Sequence, residues 1–200
     1  MESFEQFVAV AMEAEGLIVS EAVKFPVRRQ TRKALHDEVQ THGYEVDLVG
    51  ARADRLVLAT VKSFLGSRGV VAEHVMGTGG DPRFRNLYLL LNDPVIRSGV
   101  VSSAAERYGY AEDQVRVRLY VGRFAAPVKH THEPAIRAWA STQIVGGGPI
   151  EVYGLPDVIE VVRKVAGSKT YRDNPVLVTM KVLDAAGLLA DTDTSGVTAD

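Results

Sequence analysis

The sequence predicts an α/β fold, a mixed central sheet flanked by helices, and three observations lead there. Two strand patterns, Tyr44–Gly50 and Leu56–Phe64, follow one another across a polar turn around Arg52–Asp54. A third, Gln114–Phe124 (QVRVRLYVGRF), alternates apolar and polar residues. Segments with apolar residues at helical spacing lie before, between and after these strands, so the order is helix, three strands, helix, strand, helix, strand, helix, helix.

The elements follow in turn. Phe4, Phe7, Val8, Ala11 and Met12 form one apolar stripe, which predicts an amphipathic helix over residues 3 to 15, ended by Gly16. Leu17–Val27 reads as a strand with Val19, Ala22, Val23 and Phe25 as its apolar residues. RRQTRKALHDEVQTHG has no decisive pattern and fits a loop or a short helix. Period two places Glu45 and Asp47 on one face of the next strand, and Thr60 with Lys62 on one face of the strand after it. Residues 65 to 82 are glycine-rich, with one short helical signal at Val70–Met76. Residues 84 to 108 are helical in two pieces, broken near Asp93-Pro94 and stopped by Gly109. Glu133–Thr142, Pro156–Val165 and Pro175–Leu189 are further helices, and Ile150–Tyr153 is a short strand. The tail DTDTSGVTAD has no apolar pattern and is expected to be mobile. One domain over 1–190 is expected, with a core over 3–124 and an elaboration over 125–190.

Composition narrows the function classes. The chain has 200 residues, 46% hydrophobic and 24% charged, which is ordinary for a globular protein. Its net charge of −2 gives no overall basicity, so nucleic-acid binding would need a local basic patch. There is no cysteine, which removes disulfides, thiol catalysis and thiolate metal sites. The N-terminus MESFEQFVAV lacks the layout of a signal peptide, and no apolar run approaches the ~18 residues of a membrane helix. A cytoplasmic protein with no membrane partner is expected.

An acid on the second strand, a lysine ending the third and a helix ahead of both resemble the PD-(D/E)xK, restriction-endonuclease-like nuclease superfamily. The resemblance covers roughly residues 3 to 124. It implies that Asp47 is the first acid of the motif and a metal ligand, that Lys62 is the catalytic lysine, and that Glu5 is the acid such proteins carry on the first helix. It further implies Mg2+ or Mn2+ as cofactor and DNA as substrate, with RNA as the other polymer the chemistry admits. Two positions depart from the motif. Val46 stands where a proline is usual, and Thr60 stands where the second acid belongs. A hydroxyl is a weak Mg2+ ligand, so another carboxylate must take its place in an active site. Glu45 and Glu73 are the candidates, the latter resembling relatives whose acid arrives from a later helix. The alternative is a catalytically degenerate module of the same fold that binds nucleic acid or a protein.

Other motifs carry weaker expectations. Lys24, Arg28, Arg29, Arg32 and Lys33 form a basic stretch that could neutralise phosphates. Gly77-Thr78-Gly79-Gly80 could offer backbone N–H groups to a phosphate, although it lacks the lysine of a P-loop. His130, His132 and Glu133 supply donors for a metallohydrolase site.

Overall fold

A computed structural model of the chain describes residues 3–30, 39–127, 131–168 and 173–189. Helix α1 is Ser3–Ala14, followed by strands β1 (Ile18–Gln30), β2 (Val39–Arg52) and β3 (Arg55–Lys62). Short helices α2 (Ala72–Met76), α3 (Pro82–Arg85) and α4 (Leu89–Asn92) lead into the longer α5 (Pro94–Tyr108), with a 3-10 turn at Asn86–Tyr88. Then come β4 (Val115–Val121), α6 (Glu133–Thr142), the two-residue strands β5 (Ile144–Val145) and β6 (Gly148–Pro149), β7 (Glu151–Gly154), α7 (Leu155–Ala166) and α8 (Pro175–Ala185). The predicted order of elements holds. The β5–β6 hairpin, built on Gly146 and Gly147, was not foreseen.

The main sheet is mixed, in the order β1-β2-β3-β4-β7. β1, β2 and β3 are antiparallel neighbours, whereas β3, β4 and β7 run parallel. Strand β3 therefore joins an antiparallel half to a parallel half. Its residues Leu56–Val61 are all buried, as expected of a strand covered on both faces.

Two apolar cores lie on the two faces. One contains Phe25, Leu58, Leu91, Val100, Leu119 and Ile136, and is closed by α2, α4, α5 and α6. The other contains Phe4, Met12, Val57, Ala59, Tyr120 and Val162, and is closed by α1, α7 and α8. The result is three layers, helix on sheet on helix. No helix among the described residues is long and apolar enough to cross a membrane.

Local signals explain the boundaries. Asp93 caps α5 by accepting from the Val95 and Ile96 N–H groups, and Pro94 occupies the first turn, so the break near Asp93-Pro94 is a helix start. Gly109, at φ +75°, ends α5 in the left-handed conformation that glycine adopts without strain. The β2–β3 turn is clamped by Arg52, whose Nε and Nη2 donate to the Asp54 carboxylate at 2.7 and 2.8 Å. Arg52 Nη1 also donates to the Glu15 carbonyl, tying the turn to the end of α1. The undecided segment RRQTRKALHDEVQTHG contributes its first residues to the end of β1 and its last to the start of β2. Residues 31–38, residue 190 and the tail 191–200 expected to be mobile lie outside the described residues.

Candidate functional site

Strands β2 and β3 pair from Arg52↔Arg55 as far as Leu48↔Ala59 and then separate. Asp47 is the first residue of β2 beyond the paired ladder, and its side chain fills the gap. Its Oδ2 accepts from the Thr60 hydroxyl at 3.0 Å and from the Val61 backbone N–H at 2.6 Å. Lys62 Nζ stands 3.5 Å from the same oxygen. The carboxylate thus takes over a role that a main-chain carbonyl of β2 would have in a continued ladder. All three contacts fall on Oδ2.

The sequence pattern around Asp47 does not hold strictly to period two. Val46 and Val49 pack in one core, while Leu48 packs in the other. Across from Asp47 on β1, Ala22 has φ +49° and drops out of the otherwise continuous register between Glu21↔Leu48 and Val23↔Val46. Glu45 consequently does not accompany Asp47. It faces its cross-strand partner Lys24, with which it forms an exposed ion pair at 3.5 Å.

Asp47 and Lys62 line a cleft of about 840 Å3 at the end of β3, and Glu5 reaches the same cleft from the first turn of α1. Ser63 and Ser67 add hydroxyls, and Phe64, Leu65 and Leu87 add an apolar wall. The position is that of ligand sites in open α/β sheets, outside the carboxyl ends of parallel strands. Lys62 pairs with Val121, and Val121 with Gly154, so the three parallel strands end in one row. A second hollow of about 440 Å3 lies along this row and is lined by Gly122 and Gly154. Phe64, two residues beyond Lys62, has φ +42°. Ala22 and Phe64 are the two non-glycine residues with positive φ among the described residues; Phe64 lines the cleft, and Ala22 lies across from Asp47 on β1. Such backbone costs on the order of 1–3 kcal/mol each and concentrates at functional sites.

The remaining predicted residues lie elsewhere. Glu73 is exposed on α2 and does not line the cleft. Arg28 is exposed on β1, whereas Arg29 donates to Asp93 Oδ2 at 3.2 Å and so is tied to the start of α5. Arg32 and Lys33 lie outside the described residues. The Gly77–Gly79 backbone is turned inward. Gly77 N–H donates to the His74 carbonyl, and Thr78 and Gly79 N–H donate to the Glu73 carbonyl. These groups finish α2 and are spent before any phosphate could use them. His130 lies outside the described residues. His132 Nδ1 accepts from the Ala72 N–H at 3.4 Å, and Glu133 is held by Arg137 at 2.8 Å. No group of three or more His, Cys, Asp or Glu side chains placed to hold a metal ion occurs among the described residues.

Sequence reasoning missed a buried cation. Arg118 on β4 is 3% exposed. Its Nη1 and Nη2 donate to the two Glu15 carboxylate oxygens at 2.7 and 3.0 Å, and its Nε donates to Glu151 Oε2 at 2.7 Å. Burial works against the guanidinium charge, but the Glu15 carboxylate more than offsets this, so Arg118 holds its proton beyond the ordinary arginine range. The network ties the end of α1 to β4 and β7. The available signal was an arginine inside a strand whose burial proved nearly complete, where alternation had suggested a polar face.

Comparison with protein-family models, with curated proteins and with solved structures finds no match.

Proposed function

We propose that this chain is a metal-dependent nuclease of the restriction-endonuclease-like kind, acting on DNA phosphodiesters. One observation carries the reading: Glu5, Asp47 and Lys62, from three separate elements, line one cleft at the carboxyl end of the parallel strands. The strained backbone at Phe64 in the cleft wall, and at Ala22 across from Asp47, supports it.

The donor set suits a hard cation. Mg2+ keeps several of its waters and is commonly held by one or two carboxylates together with substrate phosphate oxygens, so Glu5 and Asp47 would hold it without a third acid. When bound, the ion would offset phosphate charge and lower the pKa of a water. The chain's own residues do the rest. Thr60 and the Val61 N–H fix the Asp47 carboxylate in one orientation. Lys62, one-fifth exposed, is placed to bind a phosphate oxygen and to stabilise charge that develops there.

The test is calorimetric titration with Mg2+ and Mn2+ alongside cleavage of DNA. Asp47→Asn and Glu5→Gln should each lose metal binding and cleavage. Lys62→Ala should retain the metal and lose cleavage by about 10²-fold or more, the range for removing a group that stabilises transition-state charge. Metal binding that is unchanged in Asp47→Asn would sink the proposal.

One observation favours a second reading, a non-catalytic module of the same fold. Thr60 replaces an acid with a neutral donor, and that donor occupies Asp47 Oδ2 together with Val61 and Lys62. The Asp47–Lys62 pair is then an internal brace. DNA binding without metal binding or cleavage in the wild type would establish it.

A further inference from the structure

Leu65 and Leu87 line the cleft, yet they are 49% and 45% exposed. Phe84 is 44% exposed and lies one helical turn before Leu87, on the same side of that helical run. Its ring stacks on His74, with centroids 4.6 Å apart and planes 8° apart, so it is held as a rigid flat surface. The apolar wall continues directly from Lys62 and Ser63, and its Phe64 segment is kept in a left-handed conformation that a bulky residue resists. Arg68 and Arg85 are exposed on the same two segments.

We infer that the cleft takes a strand with unpaired bases, one base lying against Leu65 and Leu87 while its phosphate meets Lys62. This rests on the nuclease-like reading of the cleft and deepens it. A duplex offers a cleft mainly phosphates and sugars, with the base faces stacked inside the helix. Against such a surface Leu65 and Leu87 would remain facing a charged, hydrated backbone. An unstacked base presents a flat apolar face beside a charged phosphate, which matches an apolar wall beside a lysine and neighbouring arginines. A protein segment could cover the apolar wall, but Arg68 and Arg85, exposed on the wall's own two segments, favour a polyanion over an uncharged peptide.

The experiment compares two fluorescent probes on the full-length protein, an unstructured oligothymidine and a blunt duplex of equal length. Binding is measured by anisotropy in EDTA so that cleavage does not intervene. The wild type should bind the oligothymidine about tenfold more tightly than the duplex. Leu65→Ser with Leu87→Ser should lower oligothymidine affinity about tenfold and leave duplex affinity unchanged. Both side chains are exposed, so the fold is not at risk; Phe84→Ala, read in the same way, is a second, independent variant. Equal affinity for the two probes, or unchanged oligothymidine affinity in the double variant, overturns the inference. So does a wild-type dimer that the double variant dissolves, which would assign the wall to a second copy of the chain. Metal-dependent cleavage of duplex DNA by a wild type that binds both probes equally would remove this inference while leaving the nuclease reading intact. Oligothymidine binding that depends on Leu87, in a chain that never cleaves, would do the reverse.

Discussion

Thr60 is 7% exposed and donates to Asp47 at 3.0 Å, so a carboxylate in its place would be set directly against Asp47. Thr60→Glu should therefore lower stability at neutral pH by about 1–3 kcal/mol, from overfilling a buried site and from placing two like charges together. Added Mg2+ should restore much of that loss, because a cation bound between the two acids in the folded chain shifts the folding equilibrium. Thermal melts of wild type and variant, with and without Mg2+, read this directly. A melting temperature indifferent to Mg2+ in both proteins counts against the cleft as a metal site. The key pair itself was legible in the sequence, since an acid and a strand-terminal lysine stand out against apolar neighbours. The partner acids were less so. Strict alternation grouped Glu45 with Asp47, and the local break in alternation at Asp47 depends on the opposite strand, where an ordinary alanine takes a left-handed conformation.

At the level of elements, the end of β3 is held by the end of β4. Gly122 N–H donates to the Lys62 carbonyl at 2.9 Å, and a Cβ on Gly122 would collide with the Ser63 carbonyl oxygen. That neighbour is backbone and cannot swing aside. Gly122→Ala should displace the Lys62–Ser63 segment, cost about 1–3 kcal/mol in a urea titration and, on the proposed nuclease reading, reduce cleavage although no charged residue has changed. Full activity in a destabilised Gly122→Ala protein would show that the cleft does not depend on this close approach. The elements were largely legible because their stop signals are local: Gly16, Asp93-Pro94 and Gly109 each act on the adjacent turn. What escaped was long-range. Arg118 depends on Glu15 and Glu151, which are brought to β4 by α1 and β7, and Arg29 depends on the start of α5. No window along the sequence contains those pairs.

Across the whole molecule, buried phenols stand in both apolar layers, Tyr88 in one and Tyr120 in the other. Burial raises both above the ordinary tyrosine value of 10.0. Burial likewise pushes Tyr153 up to about 12, against the pull of Arg118. The neutral phenol is thus favoured in the folded chain, so the stability these groups lend is complete below pH 10 and falls as pH rises toward and through about 12. Phenolate absorbance and far-ultraviolet circular dichroism, followed together, should show these tyrosines ionising only as helix signal is lost. Ionisation of all seven tyrosines with the helices intact would contradict the packing of both layers. The mixed sheet has a consequence in time. Glu5, Asp47 and Lys62 all belong to the first third of the chain, and the β2–β3 hairpin forms from near neighbours in sequence. The strand that fixes the end of β3 arrives only after the long crossover through α2 to α5, and closing such a loop is slow compared with zipping a hairpin. A nascent chain leaving the ribosome therefore carries every charged group of the cleft well before it carries the strand that sets their spacing. The site takes its final form only once β4 has docked beside β3.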